Sequence, residues 1–273
     1  MKRTCMRTGR STLTAVLTGA LALGLFTATP ARAADTGVTV SDIVVNKGKP
    51  IIVGITEEKE PAVTFRMTWP AGYTSGDITA FPHLYHETTA AKGAETGIRT
   101  GYVTYYDDTP RSANVEGVLY IDPRWTLDST KDATTWKIAV NVRRWAHGSE
   151  TKLEAEETLT GLGTVQVKRA ARATVNASPE PVAKNKTLTV TGKLTRADWG
   201  REAYVGYPDK LAKLQFRKAG TSTYTTVKTV RANSTGSLKT TVTATTDGYW
   251  RWTFGETSTT GGATAAGDYV DVQ

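Results

Sequence analysis

The sequence predicts an all-β protein, two tandem β-sandwiches behind a cleaved leader. Three observations carry this. Between residues 34 and 273 apolar side chains recur at every second position, the period of a half-buried strand. Turn-forming clusters break these runs at short intervals, among them Lys184-Asn185-Lys186, Asn233-Ser234-Thr235-Gly236 and Asp247-Gly248. The length left after the leader suits two modest domains, 34–170 and 171–273.

The leader is read from its charge and hydropathy. Lys2, Arg3, Arg7 and Arg10 precede an apolar run from Leu13 to Phe26, and Ala31-Arg32-Ala33 gives a small-x-small cleavage pattern after Ala33. The run is too short for a spanning helix, which needs roughly 20 residues, and no Arg-Arg pair precedes it, which points to the general secretory route. Cys5, the one cysteine, leaves with the leader, so neither a disulfide nor a lipid anchor is expected. The C-terminal AGDYVDVQ carries no hydrophobic tail, and the chain is expected to be released as an extracellular protein. The formal charge of +8 is inflated by the basic leader. Lysines of the second half are scattered among threonines, as on a solvated sheet face, and no basic cluster points to nucleic acid.

Strands are expected near 38–45, 51–55, 62–69, 78–85, 98–106, 115–121, 135–145 and 162–168. LEAEETL (153–159) is the one short helical candidate. The small, basic KRAARAT (168–174) reads as a short linker between the domains. Beyond it Leu188, Val190, Gly192 and Leu194 share one face of TLTVTGKLT, and Leu238, Thr240, Val242 and Ala244 share one face of SLKTTVTA. LAKLQFR pairs Leu214 with Phe216, and DYVDV pairs Val270 with Val272. Two internal echoes fit a tandem repeat: Lys47-x-Lys49-x-Ile51-x-Val53 with Lys184-x-Lys186-x-Leu188-x-Val190, and Trp136 to Val140 with Trp250 to Phe254.

The segments VNASPEP, LTVTGKLTRADW, YVGY, LQFR, YTTVKTV, DGYWRWTF and AGDYVDV resemble a family of secreted actinobacterial proteins with tandem immunoglobulin-like domains. The resemblance is strong over 171–273 and loose over the front half. It implies fold and export and carries no catalytic residues. Where relatives have a glycine turn, Asn185 stands here and is expected to take the left-handed conformation.

Trp250, Trp252 and Phe254 of DGYWRWTF lie on one face of a strand. Neighbouring strands carry threonine and lysine in the opposite phase, so the stripe is expected to be core rather than a ligand platform. Each ring then withdraws about 150–250 Å² from water, a gross transfer of roughly 4–6 kcal/mol at about 25 cal/mol per Å².

The better ligand candidate is the long connection RADWGREAYVGYPDK (196–210), whose Trp199, Tyr204 and Tyr207 could bind a partner at the sandwich end or fold back to cap the core. His83 and His86, three apart on a strand, point to opposite faces and form no metal pair. Asp107, Asp108, Asp122 and Asp128 lack the spacing of a calcium loop. No Gly-x-Ser-x-Gly elbow and no phosphate loop occurs, and His147 is isolated. The expectation is a secreted, noncatalytic protein that binds an extracellular protein or glycan without a cofactor or metal. An inhibitor of an extracellular hydrolase, and a hydrolase with a site in the first domain, stand as alternatives.

Overall fold

A computed structural model describes residues 35–273; the leader expected at 1–33 lies outside them. Among the described residues, the strands before Ala170 are β1 (Thr39–Val45), β2 (Ile51–Val53), β3 (Ala62–Thr68), β4 (Ile78–Tyr85), β5 (Ile98–Thr109), β6 (Ser112–Tyr120), β7 (Thr135–Trp145), β8 (Leu153–Leu159) and β9 (Thr164–Arg169). One α-helix, α1 (Ala90–Thr96), stands between β4 and β5.

These strands make a nine-stranded sheet in the order β1-β3-β6-β5-β4-β7-β9-β2, with β8 also on β7. The sheet folds over itself because the long β5 pairs with β4 at its start and with β6 along its length. β8 and β9 lie end to end along one edge of β7, and β2 runs parallel to β9. The inward phases of β3 (Val63, Phe65, Met67) and β7 (Trp136, Ile138, Val140, Val142) meet in one core. LEAEETL is therefore a strand and not a helix. Its register sets Glu156 against Arg143 and turns Ala155 inward, and this tertiary pairing outweighs helix propensity.

After Ala170 come β10 (Ala171–Ala173), β11 (Asn176–Ser178), β12 (Thr187–Asp198), β13 (Ala203–Gly206), β14 (Leu211–Lys218), β15 (Thr225–Arg231), β16 (Ser237–Thr243), β17 (Gly248–Phe254), β18 (Ala263–Thr264) and β19 (Asp268–Val270). β12 is the spine of one sheet, flanked by β10, β11, β13 and β16. The other runs β15-β14-β17-β18, with β19 on β17. The two layers form an immunoglobulin-like sandwich around Leu188, Val190, Leu194, Leu214, Leu238 and Trp252. Asn185 takes φ +65°, the left-handed value expected of it.

Trp250, Trp252 and Phe254 are all buried in this core, with Trp252 fully enclosed. The Trp252 indole N–H donates to the Thr191 carbonyl at 3.0 Å. Its ring lies across Gly192, where an added Cβ would stand 2.6 Å from the indole. Gly192 thus interrupts the apolar phase of β12 to make room for the largest side chain opposite it. The stripe is core.

Of the two echoes, Trp136–Val140 lies on β7, paired with β4, β8 and β9, and Trp250–Phe254 lies on β17, paired with β14, β18 and β19. The other pair does not correspond: Ile51–Val53 is an edge strand parallel to β9, whereas Leu188–Val190 lies at the centre of a sheet.

The short segment read as the linker between the domains is built into the fold. Lys168 and Arg169 are buried, and Ala171–Ala173 pairs with β12. Arg169 N–H donates to the Thr259 carbonyl, Ala170 N–H to Val53 and Ala197 N–H to Ala170, at 2.8–3.0 Å. The described residues, 35–273, fall within one compact unit.

Candidate binding groove

An open groove of about 920 Å³ lies on the outer face of β4, β7 and β8. Its floor follows from strand register. The inward phase supplies Ala80 and Val142 to the core, so the outward phase presents Phe81, Asn141, Arg143, Glu156 and Thr158. Phe81 stands opposite Asn141, which stands opposite Thr158; Arg143 stands opposite Glu156. Asn141 Nδ2 donates to Thr158 Oγ1 at 3.3 Å. Arg143 Nε donates to Glu156 Oε1 at 3.1 Å, and its guanidinium covers the Phe81 ring at 5.5 Å.

The wall is α1, which presents Ala91, Ala94 and Glu95. Thr89 caps it by accepting from Lys92 N–H at 3.2 Å, and Glu95 pairs with Lys92 at 2.8 Å. Gly93 and Gly97 let it lie directly on β4: a Cβ on Gly93 would run into Tyr85, and one on Gly97 into the Leu84 carbonyl. The buried His83 ring joins strand to helix, with Nε2 donating to the Ala90 carbonyl at 2.9 Å. Helix and sheet face are therefore a fixed pair, and the groove between them is preformed.

Beyond the helix the groove runs past Arg99, Thr100 and Gly101 to Tyr120 and Thr126. Here aromatic rings face water. Tyr120 is 40% exposed, Tyr102 62% and Trp125 84%. Partial burial, and then Tyr102 and Glu60, raise the Tyr120 phenol pKa above its ordinary value. Trp125 sits in a tight turn in which Thr126 N–H donates to the Asp122 carbonyl at 2.8 Å. Arg124 grips the Asp122 carboxylate through Nε at 3.0 Å and Nη2 at 2.7 Å, which holds that carboxyl below the usual range. The turn satisfies its own polar groups and leaves the indole outside.

The residues singled out in the sequence lie elsewhere. Trp199, at 2% exposure, is packed into the core of the first sandwich, with its indole N–H donating to the Gly54 carbonyl at 2.8 Å. Tyr204 is half-buried against the same core, and Tyr207 is buried in the second. Each ring is covered by an arginine: Arg169 over Trp199 at 5.4 Å, Arg172 over Tyr204 at 3.6 Å, Arg196 over Tyr207 at 4.4 Å. Their segment is β13 hairpinned onto the end of β12 rather than an open loop.

His86 bonds Asp132 at 2.9 Å and packs on Trp136, apart from His83. His147 bonds Asp77 at 2.8 Å. Among the described residues no three or more His, Cys, Asp or Glu converge as a metal site. In the sequence, Tyr120 shares the outward phase of Glu116, and Trp125 stands among turn formers in DPRWTLD.

No protein-family model and no curated protein matches the chain. Solved structures overlap it at low scores. The mouse nectin-like molecule 4 ectodomain is 12% identical with a TM-score of 0.23, over 86% of this chain and 64% of that one. The D0-D1 domain of intimin is 13% identical with a TM-score of 0.25, over 85% and 98%. A cross-linked adhesin from Mobiluncus mulieris is 12% identical with a TM-score of 0.28, over 86% and 98%. This chain thus spans about two thirds of the nectin-like ectodomain. None of these scores reaches 0.5, and the functional reading rests on the chain's own residues.

Proposed function

We propose that the chain is a noncatalytic binding protein of the extracellular space that holds an extended ligand, from a protein or a glycan, in the groove across β4, β7 and β8. The observation that carries this reading is the preformed groove itself, about 920 Å³ between a sheet face and a helix seated on it by two glycines. Its volume lies within the roughly 300–1,000 Å³ of small-ligand sites. Its polar side chains favour binding over chemistry. Asn141 is engaged with Thr158 and Arg143 with Glu156, and His83 spends its Nε2 proton on a backbone carbonyl. A nucleophile within reach of a free base, the minimum for covalent catalysis, is not among these pairs. Export is supported by the basic, apolar and Ala-Arg-Ala pattern of residues 1–33, and no helix among the described residues is long and apolar enough to cross a membrane.

Ala91, exposed on the groove side of α1, allows a direct test. The chain 34–273 and its Ala91→Trp variant would be screened against the same glycan array and displayed-peptide library. A ligand retained by the parent and released by Ala91→Trp is the expected outcome. Ligands held equally by both would move the function off the groove.

A further inference from the structure

We propose that the ligand of this groove is a neutral polysaccharide whose pyranose rings carry equatorial hydroxyls, stacked on Trp125, Tyr120 and Tyr102 and hydrogen-bonded along the floor. The inference rests on the groove reading above and names its ligand class.

The exposed rings come first. A tryptophan left 84% in water forgoes the burial that makes aromatic residues valuable to a fold, and here it directly precedes the groove-lining Thr126, while exposed Tyr120 lines the groove and exposed Tyr102 follows the lining Gly101. The turn around Trp125 is closed by its own backbone and by the Arg124–Asp122 clasp, so the indole is presented rigidly. A flat ring with little freedom to lose suits a flat partner. A pyranose with equatorial substituents is flat, since its axial C–H bonds make two apolar faces.

Charge narrows the class. The carboxylates lining the groove are Glu95, Glu156 and Glu157, and all are engaged: Glu95 by Lys92, Glu156 by Arg143, and Glu157 by Thr36 N–H at 3.0 Å. Arg143 is engaged in turn, and among the described residues Arg99 alone of the lining ions shows no side-chain partner. A polyanion or a polycation meets no excess charge here, whereas hydroxyls meet donors and acceptors on Asn141, Thr158, Thr126 and Arg99.

Backbone pairing argues against an extended peptide at the centre of the floor. β7 is bonded on both edges, to β4 on one and to β8 and β9 on the other, so it offers no free ladder to an added strand, and only the outer edge of β8 could take one. A helical peptide would want an apolar trough, and this floor alternates Phe81 with amide, hydroxyl and ion pair.

The test titrates the chain 34–273 with cellohexaose, chitohexaose and polygalacturonate, by calorimetry and by tryptophan emission. Saturable binding of a neutral hexasaccharide is expected, with a blue shift from Trp125. Trp125→Ala should weaken it about tenfold or more, the effect of losing one stacked ring, without lowering the melting temperature, and Ala91→Trp should abolish it. Polygalacturonate should bind no better than the neutral chains. Failure of both hexasaccharides, or binding indifferent to Trp125→Ala and Tyr120→Ala, overturns the glycan assignment. If displayed peptides then bind the parent and are lost on Ala91→Trp, the groove stands and its ligand is a protein. If nothing responds to Ala91→Trp, both readings fall.

Discussion

Two groups of aromatic residues set the terms for this molecule. Trp199, Tyr204 and Tyr207 lie on or beside the β12–β13 hairpin; Tyr120 lines the end of the groove, and Tyr102 and Trp125 are exposed next in the chain to its lining residues Gly101 and Thr126. Both groups lie in segments rich in glycine, proline or turn formers. The difference lies in their surroundings. Each hairpin ring has an arginine laid on it, and Trp199 also reaches a carbonyl in the other sandwich. The groove rings stand out from strands or turns whose polar groups are already satisfied. Residues 34–273 contain no cysteine, and the first group supplies adhesion of the kind a disulfide gives small domains, while the second stays exposed.

Buried arginines show what that adhesion demands. Arg169 is 2% exposed, and burial first, then the charge of Arg196, lowers its pKa. A cation so placed is costly unless something compensates it. The Trp199 face and the nearby Asp198 carboxylate are the compensation visible here. Removing Trp199 therefore exposes a cation's desolvation cost as well as a cavity.

The largest effect is expected at Trp252→Ala, which opens a cavity beside Gly192 and strands the Thr191 carbonyl. A loss of about 3–5 kcal/mol is predicted for such a truncation, read as a lowered denaturation midpoint. A variant that melts normally would mean that the β17 stripe is not what the core is built on. Trp199→Ala should cost about 3 kcal/mol and, in calorimetry, broaden or split the unfolding peak as the sandwiches uncouple. A single sharp transition at the parent temperature would dissolve the contrast between the two aromatic groups.

A smaller effect is expected at Asp77, in the first sandwich. Burial works against its carboxylate, but hydrogen bonds from His147 and from the Gly148 and Thr74 N–H groups outweigh it and hold its pKa well below the ordinary value. A depressed carboxylate stabilises the fold above its unfolded pKa of about 3.9, and the stabilisation is lost as pH falls through the folded value. Asp77→Asn should cost about 2 kcal/mol at pH 7, typical of charge-assisted hydrogen bonds, with the gap to the parent narrowing below about pH 4. A pH-independent gap in urea titrations would place the cost in packing rather than charge. The smallest effect belongs to Trp125→Ala, whose stability should stay within about 0.5 kcal/mol of the parent.

Local pattern was legible where one face of a strand meets the core and the other meets water. β12, β16 and β17 are of this kind, and Asn185 advertised its turn through the chemistry of its own side chain. β8 was not legible, because Glu154, Glu156 and Glu157 have helical propensity and only the pairing with β7 reveals a strand. α1 was missed for a related reason: Gly93 and Gly97, poor helix formers, are there to meet Tyr85 and Leu84 closely. The site residues were the least legible of all. Nothing near Trp199 in the sequence announces Gly54, 145 positions away, and nothing near Trp125 says that no partner comes to cover it.

The central claim is that burial divides these aromatics into those that hold the fold and those that serve a ligand. Paired thermal melts of the 34–273 chain carrying Trp199→Ala or Trp125→Ala test it most directly. The account predicts a fall of roughly ten degrees or more for Trp199→Ala and an unchanged midpoint for Trp125→Ala. A stable Trp199→Ala beside a collapsed Trp125→Ala would contradict it.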